Sequence, residues 1–369
     1  MKLLCVCGMV VATFAAQWAA SQTRVQGAAQ LAECCRVLLR TTLETRRMSS
    51  DPVVSGDLGT MYFTEDAIPA GTVLRQVSLG HGTAEHVAPL SFRDAETGEE
   101  LRGGEYGLCA LPGDPQRLLV ALDDGHCANR AWIFDLASLQ ATEVAVGMAP
   151  GYSKLAQASG TGASIFLSIE FPASFSRGNR WAAAVLSASV AGLEAKIGDE
   201  TFVGIFSLSN GRRESIIALP VQEVTEIRDF GDGVQVPRHF FAGSQATLQW
   251  TDDDALVIQT EPRVGGARRA FARTSAGSWS ELREVPAARK AAIVPAIKRQ
   301  EATYLLLGEN ELGRSLIVEP ALVFGPGLGQ VWLASQGSRA VAIRVTVEPG
   351  HSKLDIVVLE VAGKGTAIQ

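Results

Sequence analysis

An excess of basic charge is missing from this 369-residue chain: 33 Lys and Arg face 39 Asp and Glu, for a formal charge of −6. That excludes the electrostatic footprint of a general nucleic-acid binder. Histidine is scarce, at five residues, and neither CxxC nor paired-histidine spacing accompanies the six cysteines. A zinc site of standard spacing is therefore excluded. The chain also lacks a G-x-S-x-G nucleophile elbow, an HExxH helix, and a Walker or Rossmann glycine pattern. Gly160-Thr161-Gly162-Ala163-Ser164 has no lysine beside it to make a phosphate loop. No long Pro- or Ser-rich linker divides the chain, and no helices alternate with strands, which argues against an α/β fold.

What is present begins with an N-terminal pattern of secretory type. Lys2 precedes an apolar run at 3–16 interrupted only by Thr13, and the small residues Ala19, Ala20 and Ser21 follow. The run is shorter than the roughly 20 residues that span a bilayer. Residues 1–21 are expected to be a cleaved signal peptide carrying Cys5 and Cys7 away, with the mature protein periplasmic or secreted and not integral to the membrane. Glu33 stands before Cys34 where a lipobox would place a small residue, so a lipoprotein is not expected. A start at Met48 is the alternative, and it would make the protein cytoplasmic.

Residues 25–47 carry Leu31, Cys35, Leu38, Leu39, Thr42 and Leu43 at three-to-four spacing, which predicts an amphipathic helix. Residues 22–50 are accordingly read as a helical leader that packs across the domain, with docking of a partner as the second reading. Cys34 and Cys35 are read as two half-buried thiols on that helix. From residue 51 to 369 the pattern changes to strands. Five units recur, each a Gly/Asp/Asn-rich turn, an apolar strand and a second strand: SGDLGTMYFTED with TVLRQVSL, GDPQRLLVALDD with AWIFDL, SRGNRWAAAVLSASV with TFVGIFSLSNGRRESI, TDDDALVIQTE with RRAFARTSAGSWSEL, and SQGSRAVAIRVTVE with KLDIVVLEVAGKG. Bulky residues, Phe175, Trp250 and Trp332, precede turns and are expected to fill space between sheets. Hidden hairpins are expected at 304–318 and around 227–241. The predicted fold class is all-β, a β-propeller of six or seven blades with a short N-terminal helix.

Phe175-Ser176-Arg177-Gly178-Asn179, Trp250-Thr251-Asp252-Asp253-Asp254 and, more weakly, Leu111-Pro112-Gly113-Asp114 resemble the WD-like repeat of TolB-type β-propellers. The resemblance covers residues 55 to the C-terminus and implies the fold; the chain has nothing to match the α/β domain that precedes the propeller in TolB itself.

Candidate sites are few. Asp123, Asp124 and His126 form the densest polar group, able in principle to hold a divalent ion or act as an acid–base pair, but Asp-Asp-Gly is ordinary hairpin chemistry. The same holds for residues 252–254 and for His81, Glu85 and His86; His239 and His351 stand alone. Cys109 and Cys127, on one repeat unit, are expected to form a disulfide in an oxidising compartment. The pairs Arg212-Arg213 and Arg268-Arg269 are read as solvated loop charge. No cofactor is assigned; calcium in a central tunnel, as in lactonase-type propellers, belongs to the alternative reading of a metal-dependent hydrolase. The first reading is a non-catalytic, exported module that binds a protein or other ligand in the cell envelope.

Overall fold

The computed structural model describes residues 22–25, 28–66, 71–82, 84–93, 100–101, 105–123, 130–159, 165–190, 196–229, 235–261, 266–286, 298–300, 305–309, 315–327 and 329–361. Among these, strands dominate, and three short helices interrupt them at Ala28–Cys34, Lys154–Ser159 and Pro320–Phe324. The chain groups into two compact units, one of residues 1–48, 52–87 and 294–369, the other of 49–51 and 88–293.

In the first unit the C-terminal hairpin Arg339–Glu348 and His351–Val361 is the centre of a five-stranded sheet. Gln330–Gln336 and Lys298–Gln300 extend it on one side, and Cys35–Arg46, from near the N-terminus, extends it on the other. Its two faces are both apolar, which is why these strands read as nearly continuous hydrophobic runs. Ala340, Ala342, Val357 and Leu359 face a cluster with Leu31, Val318, Val323 and Phe324. The alternate residues Val341, Ile343, Ile356 and Val358, with Trp332, face Val54, Leu58, Met61, Phe63 and Val77. The latter belong to the four-stranded sheet of Val53–Val54, Thr60–Asp66, Thr72–Ser78 and Ala84–Leu90. The expected hairpin near 304–318 is present as Leu305–Glu309 and Ser315–Val318, with Gln22–Val25 added in parallel.

The second unit repeats the plan. Glu105–Leu111, Asp114–Asp123, Arg130–Asp135 and Gln140–Val144 form one up-and-down sheet. Trp181–Val190 and Lys196–Ser207 centre the next, which also takes the hairpin Val221–Asp229 and Gln235–Gly243. Ala246–Trp250, Leu256–Thr260, Arg268–Arg273 and Trp279–Glu281 form the third. Faces stack on faces: Cys109, Leu119 and Ile133 meet Ala182, Ala184, Leu186 and Phe202, while the reverse face of that middle sheet, Ala183, Val203 and Ile205, meets Trp250, Leu256 and Phe271. Trp279 packs edge-on against Trp181 and Trp250, with ring centres 5.7 and 5.8 Å away.

The repeated turns have one construction. At Ser55, Ser176 and Thr251 a buried hydroxyl accepts a backbone N–H at the far end of the turn, from Thr60 (2.9 Å), Trp181 (3.1 Å) and Ala255 (3.0 Å). Their own N–H groups donate back to the carbonyls of Thr60, Trp181 and Ala255. The fourth residue of each turn, Leu58, Asn179 or Asp254, takes a left-handed φ of 55°, 49° or 55°. Neighbouring turns are tied by ion pairs, Arg177 to Asp252 and Arg180 to Asp254.

The helix predicted at 25–47 is a correction. Only Ala28–Cys34 is helical; Cys35–Arg46 is a strand paired antiparallel with His351–Val361. Leu39, Thr41, Leu43 and Thr45 turn inward while Arg40, Thr42, Glu44 and Arg46 are exposed, an alternation of two. The leucines satisfied both periods, and the threonines with a waiting sheet edge decided for strand.

Candidate functional site

Of the predicted polar group, Asp123 ends the strand Asp114–Asp123 with its backbone opposite Glu105. Its side chain, and Asp124, His126 and Cys127, lie outside the described residues. Cys109 is a free, buried thiol, mid-strand opposite Leu119, directed at the carbonyl of Ala173 at 3.7 Å. Burial pushes it up to about 12. The expected disulfide is thus not formed at Cys109, whose side chain faces the core between two sheets. Asp252 and Asp254 are held by arginines, as above, and serve their turn. His81 is exposed; the side chains of Glu85, His86 and His239 lie outside the described residues. His351 is exposed and sits 3.0 Å from Glu348 across a hairpin. Among the described residues no group of three or more His, Cys, Asp or Glu side chains gathers.

Arg212 is exposed outside any strand, as expected of solvated loop charge, and Arg268 is exposed on a strand; the second arginine of each pair is engaged. Arg269 lies on a strand, makes two 2.8 Å bonds to Glu281, and stands 4.9 Å from the Phe271 ring. Arg213, also on a strand, reaches the 145–153 connection, donating to the carbonyls of Val146 and Met148. Its charge is half-buried, and that desolvation pulls its pKa down.

That connection is held at several points along its length. Gly147 has φ of 70° and lies against the Arg213 guanidinium. Gly211 (φ 69°) lets the neighbouring turn approach: a Cβ there would sit 2.0 Å from the Glu143 carbonyl oxygen. Ala149 and Leu167 N–H groups donate to Ile165 and Gly147, binding the connection to the strand beside it. At its far end the buried Glu200 carboxylate accepts the Ser153 hydroxyl (2.5 Å) and the N–H groups of Lys154 (3.2 Å) and Leu155 (3.0 Å). Three donors satisfy this carboxylate, which makes its burial tolerable.

On this rigid base three large apolar side chains face solvent: Met148 is 45% exposed, Tyr152 53% and Phe166 53%. Met148 and Phe166 are cross-strand partners in an antiparallel bridge, so their side chains leave on one side. The Tyr152 hydroxyl donates to the Ile216 carbonyl at 3.4 Å, and burial of the phenol raises its pKa. The arrangement offers an apolar and aromatic surface with a cationic base. Sequence pattern missed it because GMAPGY reads as a turn and IFLSIEF as a buried strand.

No family model matches the sequence, and no curated protein matches it. Solved structures with similar arrangements include TolB from Acinetobacter baumannii, at 11% identity and a TM-score of 0.30 over 84% of this chain and 54% of that one. The chain thus spans about half of the TolB chain. The β-propeller domain of the trilobed protease from Pyrococcus furiosus is similar at 10% identity and a TM-score of 0.30, over 80% of this chain and 76% of that one. An ulvan lyase of polysaccharide lyase family 25 gives 9% identity and a TM-score of 0.33, over 88% and 85%. The class itself is read from the sheets: an all-β protein of the β-propeller type with a short N-terminal helix, in which mainly antiparallel sheets, several of them four-stranded, stack face to face within each unit. The TolB-like turns noted in the sequence are part of that construction.

Proposed function

We propose that the chain is a non-catalytic β-propeller module that binds a protein through the face formed by Met148, Tyr152 and Phe166, and that it works in the cell envelope after export. The observation that carries this reading is the exposure of three large apolar side chains on a connection fixed by Arg213 and Glu200. Apolar side chains held rigidly in water have their use when a partner covers them. Export is supported by the apolar run at 3–16 and the small residues after it. No helix among the described residues is long and apolar enough to cross a membrane.

The test places a photo-crosslinking residue at Phe166 and, as a control, at the exposed Val347 of the Arg339–His351 hairpin. The expected result is one protein captured at 166, absent at 347, and lost when Met148→Asp is added. Equal capture at both positions would remove the reading. Metal analysis of the same preparation addresses the alternative: calcium bound one-to-one would favour the tunnel-metal hydrolase instead.

A further inference from the structure

We propose that Cys34 and Cys35 form a redox-active vicinal dithiol that a peroxide converts reversibly to a disulfide between the two neighbours. Consecutive side chains in a strand point to opposite faces, which keeps their sulfurs apart. Here the helix Ala28–Cys34 ends on one cysteine and the strand Cys35–Arg46 begins on the next. That junction turns both side chains to the same side, with the sulfurs in contact at 3.4 Å. A disulfide needs about 2.05 Å, so closure draws the two sulfurs together and strains the single peptide unit between them.

The two thiols are unequal in the way such chemistry needs. Cys34 is partly exposed, and its Sγ lies 3.5 Å from the Leu31 carbonyl. The hydrogen bond from Cys35 pulls its pKa down, against burial and the nearby Glu33 charge. Cys35 is buried among Leu31, Val323, Phe324 and Val361, and its contact with Cys34 together with burial pushes its pKa up. Cys34 is therefore the attacking sulfur and Cys35 the resolving one. The Cys34 thiolate attacks one oxygen of hydrogen peroxide, the O–O bond breaks, and water leaves once the departing hydroxide is protonated. The Cys34 sulfenic acid is then attacked by Cys35 Sγ; the S–OH bond breaks and a second water carries off the Cys35 proton. Two thiols and one peroxide give one disulfide and two waters. A ring closed between adjacent residues spans Cα atoms about 3.8 Å apart, below the range ordinary disulfides prefer, so thiol reductants reopen it readily. Cys109, enclosed between sheets, is the internal control.

The experiment uses the full chain, reduced first, then given one equivalent of hydrogen peroxide, alkylated and digested with trypsin. Cleavage after Arg24 and Arg36 leaves both cysteines on one peptide. The expected peptide is unalkylated and lighter by two hydrogens than its dithiol form, and it takes two alkyl groups after dithiothreitol. In Cys35→Ser, dimedone should trap a sulfenic acid at Cys34. A wild-type peptide that stays doubly alkylated, or Cys34 found joined to another cysteine, would overturn the proposal. The wild-type measurement decides the matter even where the variant fails to fold.

Discussion

At the scale of single residues, the turn hydroxyls and their acidic neighbours carry more than surface polarity. Ser55 is buried and donates to Asp57 at 2.5 Å, and the Gly59 N–H donates to the same carboxylate oxygen at 2.9 Å. The Ser55 hydroxyl, chiefly, holds the Asp57 carboxyl below its ordinary range, with burial opposing and the Gly59 N–H and Arg339 charge assisting. A carboxyl whose folded pKa is depressed stabilises the fold fully above its unfolded value of about 3.9, and that contribution is lost as pH falls through the lower folded value. Asp57→Asn should therefore melt below the parent at pH 6 to 7, with the gap closing as pH falls below about 3. Thermal melts of the two proteins across that range check it, and a gap independent of pH would refute the assignment. Asp57, Asp252 and Asp254 were legible in the sequence because turn chemistry is local. Glu200 was not: its partners lie more than forty residues away, and nothing in KIGDETF marks that carboxylate as buried. Tyr152 and Phe166 were equally hidden, since hydrophobicity alone does not say which side of a surface a ring takes.

At the scale of elements, the four non-glycine residues with left-handed φ among the described residues separate turn strain from core packing. Leu139, at φ 56°, ends the turn capped by Asp135 and is 46% exposed. Leu58, at φ 55° in its own turn, is 1% exposed, against Val77 and Ile343. Glycine removes the Cβ penalty of this conformation, about 1 kcal/mol, less its greater freedom in the unfolded chain. Leu139→Gly should thus stabilise by roughly 0.5 kcal/mol, while Leu58→Gly should destabilise by about 2 to 4 kcal/mol through the cavity it leaves. Chemical denaturation of both variants checks the opposite signs; two losses of similar size would mean that the Leu139 turn is not strained. Elements were mostly legible because turn and strand signals coincide: all five sequence units appear as antiparallel pairs. The failure at Cys35–Arg46 has a physical origin. In CRVLLRTTLETR the leucines satisfy a helical face and an alternating one together, and a partner some three hundred residues away decides between them.

At the scale of the whole molecule, that same strand ties the two ends of the chain into one sheet, from Cys35 opposite Val361 to Arg46 opposite His351. It places Cys35 in the cluster with Val357 and Leu359, and packs Leu39 and Leu43 against the cluster on the other face. Translation from Met48 would yield a chain without this strand. Such a chain leaves His351–Val361 as an open edge flanked by uncovered core, a template for aggregation. The expected outcome for a protein truncated before Met48 is insolubility, or a loss on the order of several kcal/mol in stability, which sedimentation and denaturant melts would show. The antiparallel register adds a sharper arm. Because Cys35 lies directly opposite Val361, the strand can be supplied as the next arm of a hairpin. Residues 28–47 moved behind Gln369 through a short Gly/Ser linker should restore solubility and melting temperature, since pairing and not chain order holds the sheet. A truncated chain that melts with the parent would show the strand to be dispensable, and would make Met48 an admissible start. Failure of the relocated strand beside a soluble parent would show that the tie works through the connection at Arg47 and Met48, where Asp66 N–H donates to the Arg47 carbonyl, rather than through the ladder itself.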